Sequence, residues 1–395
     1  MLETLIQMLS GDCSNMQKTY KYRLYPSKDQ EQVLFHTLEH CRYVYNALLE
    51  WLNKQDKPNR YELQNRLPLL KQEHPELKNV YSKALQYEVY RLFYNLRGLS
   101  QSKKNHRKIG KLRFKPSHRF RTIHYNQSGF KILETDKRLD KLHISKVGDL
   151  PMLMHRPVEG NIKQVVIKHH LSGKWYACIS VEQENNIVKQ PIKTAVGIDV
   201  GIKYHCSDSD GLQFENPKYL NKSLKQLKRR QQKLSKTKKG SKNRGKHRVC
   251  VARQHERIEN QRNDFLHKLS RYYINRYDLI AVEDLNIKNM VRNHHLARHI
   301  SDASWNKFMQ LLFCKAESAG KTMVCVNPRG TSQEYNHGDG IDRDYNASLN
   351  ILERGLENVG LGWPEFTPAD IGPLQELQFV PASLVVESGS HFQNL

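Results

Sequence analysis

The most constraining feature of the sequence is an apolar run that ends in an acid. Thr194 to Val200 (TAVGIDV) is almost continuously apolar, and Asp199 is its one charged residue. Such a run is typical of a central strand buried on both faces of a sheet. A carboxylate at the end of a buried strand is costly unless it is paired or binds a cation. The segment therefore predicts both a central strand and an acid that needs a partner.

The residues after this run predict a mixed α/β domain. Asp210-Gly211 is typical of a hairpin turn. Apolar patterning predicts further strands at 277–282 and 322–326, and helices near 303–319 and 344–353.

A strongly basic segment interrupts this domain. Residues 218–257 contain sixteen Lys or Arg and one acid, Glu256, while four leucines keep helical spacing. Gly240 and Gly245 are expected to break the helix. The pattern predicts a basic helical hairpin within 217–275, with its second helix at about 252–275.

The first half of the chain predicts an antiparallel β domain with a helical insert. Thr19 to Tyr25 alternates as a half-buried strand, and Ser27 with Gln30 predicts a capping box at the start of a helix. A second helix is expected near 82–97, so that the insert has a small core of its own. A hairpin is predicted from the strands at 165–170 and 175–181.

The net charge points to a polyanionic partner. Lys and Arg exceed Asp and Glu by 64 to 40, a formal charge of +24. Residues 103–122 hold nine Lys or Arg, no acid and two phenylalanines, Phe114 and Phe120, which favours a nucleic-acid contact over a solvated basic loop. The candidate nucleic-acid-binding residues are Lys103, Lys104, Arg107, Lys108, Lys111, Arg113, Lys115, Arg119, Arg121, Lys225, Lys228, Arg229, Arg230 and Lys233.

Composition also limits the compartment. A mean hydropathy of −0.74 and the lack of a long apolar run exclude an integral membrane protein. Residues 1–15 lack the basic start of a signal peptide, which predicts a cytoplasmic, nucleoid-associated protein. Seven cysteines without a C-x-x-C pair predict reduced thiols, neither disulfides nor a cysteine zinc site.

Three acids stand out by their position. Asp199 ends one apolar strand, Glu283 ends another (DLIAVE), and Asp344 opens a helix. Three converging carboxylates would form a site for Mg²⁺ or Mn²⁺, which could activate water for phosphodiester hydrolysis. The alternative is that each acid caps a helix or pairs with a neighbouring cation. The rival ligands on the same grounds are Asp278, Asp284 and Asp342.

Several motifs together resemble the TnpB (OrfB) proteins of insertion sequences. They are YKYRLYPSKDQ at 20–30, CRYVYN at 41–46, GKLRFKP at 110–116, GIDVG at 197–201, VEDLN at 282–286, SWNKF at 304–308, KAE at 315–317, TSQ at 331–333 and DRDYNAS at 342–348. By motif match, the family's catalytic carboxylates fall on Asp199, Glu283 and Asp344.

The resemblance implies an RNase H-like (RuvC-like) nuclease domain preceded by a wedge-like antiparallel β-barrel domain with a helical recognition insert. It also implies a guide RNA from the transposon end, double-stranded target DNA and Mg²⁺ as partners. The expected organisation is a disordered leader at 1–16, a wedge-like domain at 17–26 and 101–190, a helical insert at 27–100, a RuvC-like domain at 191–355 and a tail at 356–395.

One departure from the family is clear. Where the family usually has a zinc ribbon with two C-x-x-C pairs, only eight residues (EYNHGDGI, 334–341) separate TSQ from Asp342. No cysteine follows Cys325, so zinc is not expected. The histidines that could substitute, His294, His295, His299 and His337, are expected to be solvated or to face phosphate.

Three functions remain open at this point. The leading hypothesis is a transposon-encoded, RNA-guided, Mg²⁺-dependent DNA endonuclease. The shortened ribbon region favours an RNA-guided DNA-binding protein with lost or weakened cleavage. The third is a DNA transposase that uses the same acids for strand transfer; no Tyr or Ser recombinase motif supports it.

Overall fold

The protein is described by a computed structural model, which covers residues 15–55, 59–184, 187–189, 191–333 and 342–362. Predictions for residues 1–14, for the shortened ribbon region at 334–341 and for the tail beyond 362 lie outside these ranges. The chain divides into two compact units, one at 10–185 and one that begins at 186. Each unit has its own sheet.

The first unit contains a seven-stranded antiparallel sheet. Its strands are β1 (Asn15–Leu24), β2 (Thr122–Asn126), β3 (Phe130–Leu133), β4 (Asp140–Ile144), β5 (Gly148–Leu153), β6 (Asn161–His169) and β7 (Trp175–Glu184). The strand order is β2-β6-β7-β1-β5-β4-β3. The two edge strands, β2 and β3, are joined by one short turn at Gln127–Gly129. The sheet therefore curls into a nearly closed barrel, and the predicted hairpin is confirmed as β6 and β7.

Three helices accompany this sheet; the first and third contact β2, and the second packs on the other two. They are α1 (Lys28–Leu52), α2 (Arg60–Glu73) and α3 (Ser82–Lys104). The capping box is confirmed, because Ser27 Oγ accepts from Gln30 N and the Gln30 side chain accepts from Ser27 N. The expected separate core is wrong, since Leu38 of α1 and Leu85 of α3 share one apolar cluster with strand residues such as Ile167. An amphipathic helix shows which face it buries, but its sequence does not name the surface that covers it.

The second unit contains a five-stranded mixed sheet. Its strands are β8 (Ala195–Asp199), β9 (Tyr204–Asp208), β10 (Gln213–Glu215), β11 (Leu279–Glu283) and β12 (Thr322–Val326), in the order β10-β9-β8-β11-β12. β11 is parallel to β8 and β12, whereas β9 is antiparallel to β8. The apolar run at 194–200 therefore forms the central strand, as its composition predicts.

Helices cover both faces of the mixed sheet. They are α4 (Tyr219–Ser235), α5 (Lys242–Arg276), α6 (Ile287–Met290), α7 (Ala297–Ala303), α8 (Trp305–Ala319) and α9 (Arg343–Asn358). Side chains alternate along each strand. Ile198 and Val282 share a cluster with residues of α5 and α8, whereas Ala281 shares one with Ile351 of α9. The sheet is thus the middle of three layers.

The basic helical hairpin is confirmed as α4 and α5, but its break differs from the prediction. α4 ends before Gly240, whose φ is 84°, a conformation that favours glycine. Gly245 lies inside α5 instead of ending a helix, because Ser241 caps the helix at the Arg244 amide. None of the helices within the described ranges is long and apolar enough to span a membrane.

Candidate active site and nucleic-acid surfaces

Asp199 and Glu283 end neighbouring parallel strands. Ile198 of β8 lies opposite Val282 of β11, so the next residue on each strand is an acid. Paired strands are about 4.8 Å apart. The register therefore places these two carboxylates side by side at the carboxyl edge of the sheet, on the face opposite Ile198 and Val282.

Helix α9 crosses this same face. A Cβ atom added to Gly197 would overlap the carbonyl oxygen of Ser348, and one added to Gly355 would overlap the side chain of Ala281. Only glycine allows so close an approach of helix and sheet. Asp344 lies in the first turn of α9, one turn before Ser348. The packing of α9 thus brings the third carboxylate towards the other two.

The electrostatics show that the three acids interact. Burial, together with the charges of Glu283 and Asp344, raises the pKa of Asp199 to about 7, while Arg343 opposes the shift. Arg343 Nε also lies 3.7 Å from Asp344 Oδ1. Like charges held in a half-buried site favour a bound cation. Arg343 supplies part of that positive charge here.

The donor set fits a hard divalent cation in its chemistry. Carboxylate oxygens are the ligands that Mg²⁺ and Mn²⁺ prefer. Within the described ranges, no three His, Cys, Asp or Glu side chains lie close enough together to hold one ion as they stand. Glu283 and Asp344 are near enough to shift the pKa of Asp199, but an ion bound by all three acids would have to draw their side chains closer together.

The rival acids have other partners. Asp278 accepts hydrogen bonds from the Lys193 and Thr194 amides before β11 begins. Asp342 caps α9 by accepting from the Asp344 and Tyr345 amides. Asp284 is exposed and follows Glu283, so it points to the opposite side of the strand. These positions make Asp278 and Asp342 structural residues.

Sequence reasoning missed one residue at this site. The hydroxyl of Thr331 donates to Glu283 Oε1 at 2.5 Å, and Thr331 is 1% exposed. The two residues are 48 positions apart in the chain. The motif TSQ at 331–333 was a signal for the segment, but nothing in the sequence linked its threonine to Glu283.

The basic segment at 103–121 is mostly exposed. Lys103 and Lys104 end α3, and the side chains of Arg107, Lys108, Lys111, Arg113 and Arg119 are also exposed. Lys115 is half-buried over the ring of Tyr45, with its backbone held by both amide atoms of Asn46. Arg121 is half-buried and donates to the carbonyl of His118. Phe120 is buried in the core, and Phe114 is 57% exposed.

The candidate residues on α4 line a surface groove. Arg229, Arg230 and Lys233 line it together with Gln226, Gln232 and Lys236. Lys225 and Lys228 are exposed on the same helix. Arg230 donates to the carbonyl of Cys250 on α5, and Arg244 donates to the Leu234 and Thr237 carbonyls at the end of α4. The second basic surface therefore lies on a braced helical hairpin.

A further basic surface lies on the outer face of the barrel-like sheet. Lys21 Nζ is 4.3 Å from the ring centre of Tyr176, and the Arg23 guanidinium is 5.4 Å from the same ring. Arg23 and Lys168 are the direct cross-strand neighbours of Tyr176. Cations around a half-buried aromatic ring at the surface of a sheet suit a nucleic-acid strand. Sequence reasoning missed this surface because its residues come from strands that are neighbours in the sheet but far apart along the chain.

Three of the four histidines considered for zinc lie within the described residues. His294 and His295 are exposed on the loop after α6, His299 lies on α7, and His337 is outside the described residues. The described cysteines carry free thiols.

Comparison with known proteins places this chain among transposon proteins. A family model described as "Probable transposase" (OrfB) matches residues 178–294, and one described as "Helix-turn-helix domain" matches residues 16–57. In this structure residues 16–52 hold one strand and one long helix, β1 and α1.

Two relatives match over most of their length. A "Putative RNA-guided DNA endonuclease" of Streptomyces pristinaespiralis is 30% identical over 379 residues, which cover 88% of this chain and 91% of the relative. InsQ of Escherichia coli K12, with the same description, is 28% identical over 340 residues, which cover 80% and 82%. A solved structure of a Cas12f1–sgRNA–target DNA complex is 14% identical, with a TM-score of 0.44 over 86% of this chain and 99% of that one. By its identity to the first relative across nearly the whole of both chains, the chain belongs to the TnpB (OrfB) family.

Proposed function

We propose that this protein is a transposon-encoded, RNA-guided DNA endonuclease that hydrolyses target DNA at a Mg²⁺ site formed by Asp199, Glu283 and Asp344. The observation that carries the proposal is that β8 and β11 end in Asp199 and Glu283 at one edge of the sheet, while α9 packs on the same face with Asp344 near enough to raise the pKa of Asp199. The names of the two long relatives support the reaction class. A protein of this kind acts in the cytoplasm, at the nucleoid.

The three-layer mixed sheet supports an RNase H-like, RuvC-like architecture for the second unit. β8 is central. On one side it pairs with the antiparallel strand β9, which pairs in turn with β10, and on the other side lie the parallel strands β11 and β12. The barrel-like sheet with three packed helices supports a wedge-like domain with a recognition insert in the first unit.

In this proposal the acidic residues bind the metal ion and the basic surfaces bind the nucleic acids. Mg²⁺, when bound, would activate water and stabilise the leaving oxygen of the phosphodiester. Asp199, Glu283 and Asp344 would hold the ion, and Arg343 would yield its place beside Asp344. The basic segment at 103–121, the groove on α4 and the Lys21–Arg23–Tyr176 surface would hold the guide RNA and DNA through their phosphates.

Co-purification with RNA and a cleavage assay test this proposal. The protein is expressed with its native flanking DNA, purified with its RNA, and given matched targets with randomised adjacent bases. We expect cleavage that requires the matched sequence, one set of adjacent bases and Mg²⁺. Matched DNA that is bound but not cut would instead support the guided binder, and strand joining would support the transposase.

The basic segment at 103–121 yields a separate prediction. Replacing Lys108, Lys111 and Arg113 by glutamine should weaken guide RNA binding and its salt dependence, because each lost phosphate contact lowers the slope of log K against log salt by ~0.7. Fluorescence anisotropy at several salt concentrations measures both.

A matched control removes the same net charge elsewhere in the first unit. Lys131, Lys137 and Lys141 are exposed and lie outside the three basic surfaces, so their replacement by glutamine should leave the slope within error. Equal slopes for the two triple variants would mean that the segment at 103–121 is an ordinary solvated loop that does not contact the RNA.

A further inference from the structure

One helix holds both ends of the shortened ribbon region. Asp344 stands in the first turn of α9, just after this region. Thr331, just before it, has its carbonyl oxygen bound by Asn350 Nδ2 of α9 at 2.8 Å. Arg354, one turn further along, donates to the carbonyls of Asn327 and Arg329 at 3.0 and 2.7 Å. The segment at 327–331 is thus attached to α9 at three carbonyls.

The side chain of Thr331 faces the carboxylate of Glu283. Its Oγ1 lies 2.5 Å from Glu283 Oε1 and 3.0 Å from the carbonyl oxygen of Pro328. A hydroxyl has one proton, and a carboxylate is the stronger acceptor, so the hydroxyl donates to Glu283. This bond restricts the rotation of the Glu283 side chain. Without it, the backbone at the end of β11 would leave the carboxylate free to turn.

The pKa of Glu283 is above its usual value, and two groups partly offset the effect of burial on it. Burial raises the pKa of Glu283, whereas the Thr331 hydrogen bond and the charge of Arg354 lower it. Both groups that lower the pKa of Glu283 are connected to α9. Arg354 is a residue of α9, and the Thr331 carbonyl accepts a hydrogen bond from Asn350 of the same helix. The helix that supplies Asp344 therefore also supports Glu283.

We infer that Thr331 is a positioning residue, which holds the Glu283 carboxylate in the orientation that a divalent cation requires. α9 then sets two of the three proposed ligands, Asp344 directly and Glu283 through Thr331. Their placement depends on α9 and not on a zinc-bound domain between residues 333 and 342. This inference rests on the proposed metal site.

The test compares three variants of the full chain. Thr331→Val keeps the shape of the side chain and removes its proton donor. Thr331→Ser keeps the donor, and Ser332→Ala removes a neighbouring hydroxyl that has no hydrogen bond to Glu283. Electron paramagnetic resonance measures Mn²⁺ binding to RNA-free protein, with Asp199→Ala as the reference for non-specific sites. Melting temperature, target binding and single-turnover cleavage are measured in parallel.

Loss of a group that orients a metal ligand typically costs 10- to 100-fold in metal affinity or activity. We expect Thr331→Val to weaken Mn²⁺ binding about 10-fold and to slow cleavage by about 10- to 100-fold, with target binding unchanged. Thr331→Ser should restore both to within about 3-fold of wild type, and Ser332→Ala should match wild type.

The outcomes separate this inference from the proposed function. If wild-type protein binds Mn²⁺ through Asp199 and Thr331→Val binds it equally well, the positioning role is wrong while the metal site stands. A Thr331→Ser variant as poor as Thr331→Val would also overturn it, since the hydroxyl would then not be the active feature. If wild type binds no Mn²⁺ beyond Asp199→Ala, the proposed metal site fails first.

Discussion

Asp199→Ala should abolish target cleavage and leave guide RNA binding unchanged. Asp199 lies at the end of the central strand, where burial and two further carboxylates raise its pKa to about 7. Removing it deletes a ligand from the proposed site, and metal ions contribute several kcal/mol to charge stabilisation in such reactions. A loss of about 4 kcal/mol corresponds to a rate lower by about 10³-fold. Single-turnover cleavage and RNA anisotropy measure the two effects.

The matched control is Asp284→Ala. Asp284 follows Glu283, is exposed, and takes part in β-sheet pairing only through its amide, which donates to Val326. Its replacement should leave cleavage within about 2-fold of wild type, as for a surface site away from special features. If Asp199→Ala still cuts while Asp284→Ala does not, the metal site lies on the other side of β11 and the proposed ligand set is wrong.

If the wild-type protein does not cleave DNA, the same two variants test the guided-binder hypothesis instead. The guided-binder hypothesis predicts that wild type, Asp199→Ala and Asp284→Ala bind matched DNA equally and none cuts. In that case the +24 charge and the basic surfaces would still serve guide and target binding. The two hypotheses thus differ in the chemistry of one sheet edge and agree on the nucleic-acid surfaces.

Much of the candidate site could be predicted because it depends on local patterns. An apolar run that ends in Asp199 and a second that ends in Glu283 each specify a buried strand with an acid at its edge. The strand at Thr322–Val326 is confirmed with the predicted bounds. Asp344 was a weaker candidate by position, since an acid at a helix start is ordinarily a favourable partner for the helix dipole, and the family resemblance strengthened that prediction.

The rest depends on contacts between distant residues. The bond from Thr331 to Glu283 and the cation–aromatic pair of Arg23 with Tyr176 join residues far apart in sequence. Such pairs follow from strand order and register, which the local patterns do not determine. Gly245 was wrongly expected to end a helix, because glycine costs only about 1 kcal/mol there and packing of a long helix can outweigh it.

Gly197 determines how closely α9 packs on β8, and this packing sets the position of Asp344. It lies on β8 two residues before Asp199, where a Cβ atom would overlap the carbonyl oxygen of Ser348 and come within 2.6 Å of the Leu352 amide nitrogen. Both are backbone atoms of α9, so no side-chain rotation can relieve the contact. The absence of a side chain at Gly197 is therefore what lets α9 lie against β8 and bring Asp344 towards Asp199.

Gly197→Ala should consequently lower both stability and cleavage. Overpacking a close contact typically costs about 1–3 kcal/mol, and a shift of α9 would also move Asp344 away from its partners. Gly245→Ala is the matched control, since a Cβ there meets nothing within 4 Å and alanine favours the helix by up to about 1 kcal/mol. Thermal melting and single-turnover cleavage of both variants measure the difference. A Gly197→Ala protein that melts and cuts like wild type would mean that α9 does not pack closely on β8, and the convergence of the three acids would lose its structural basis.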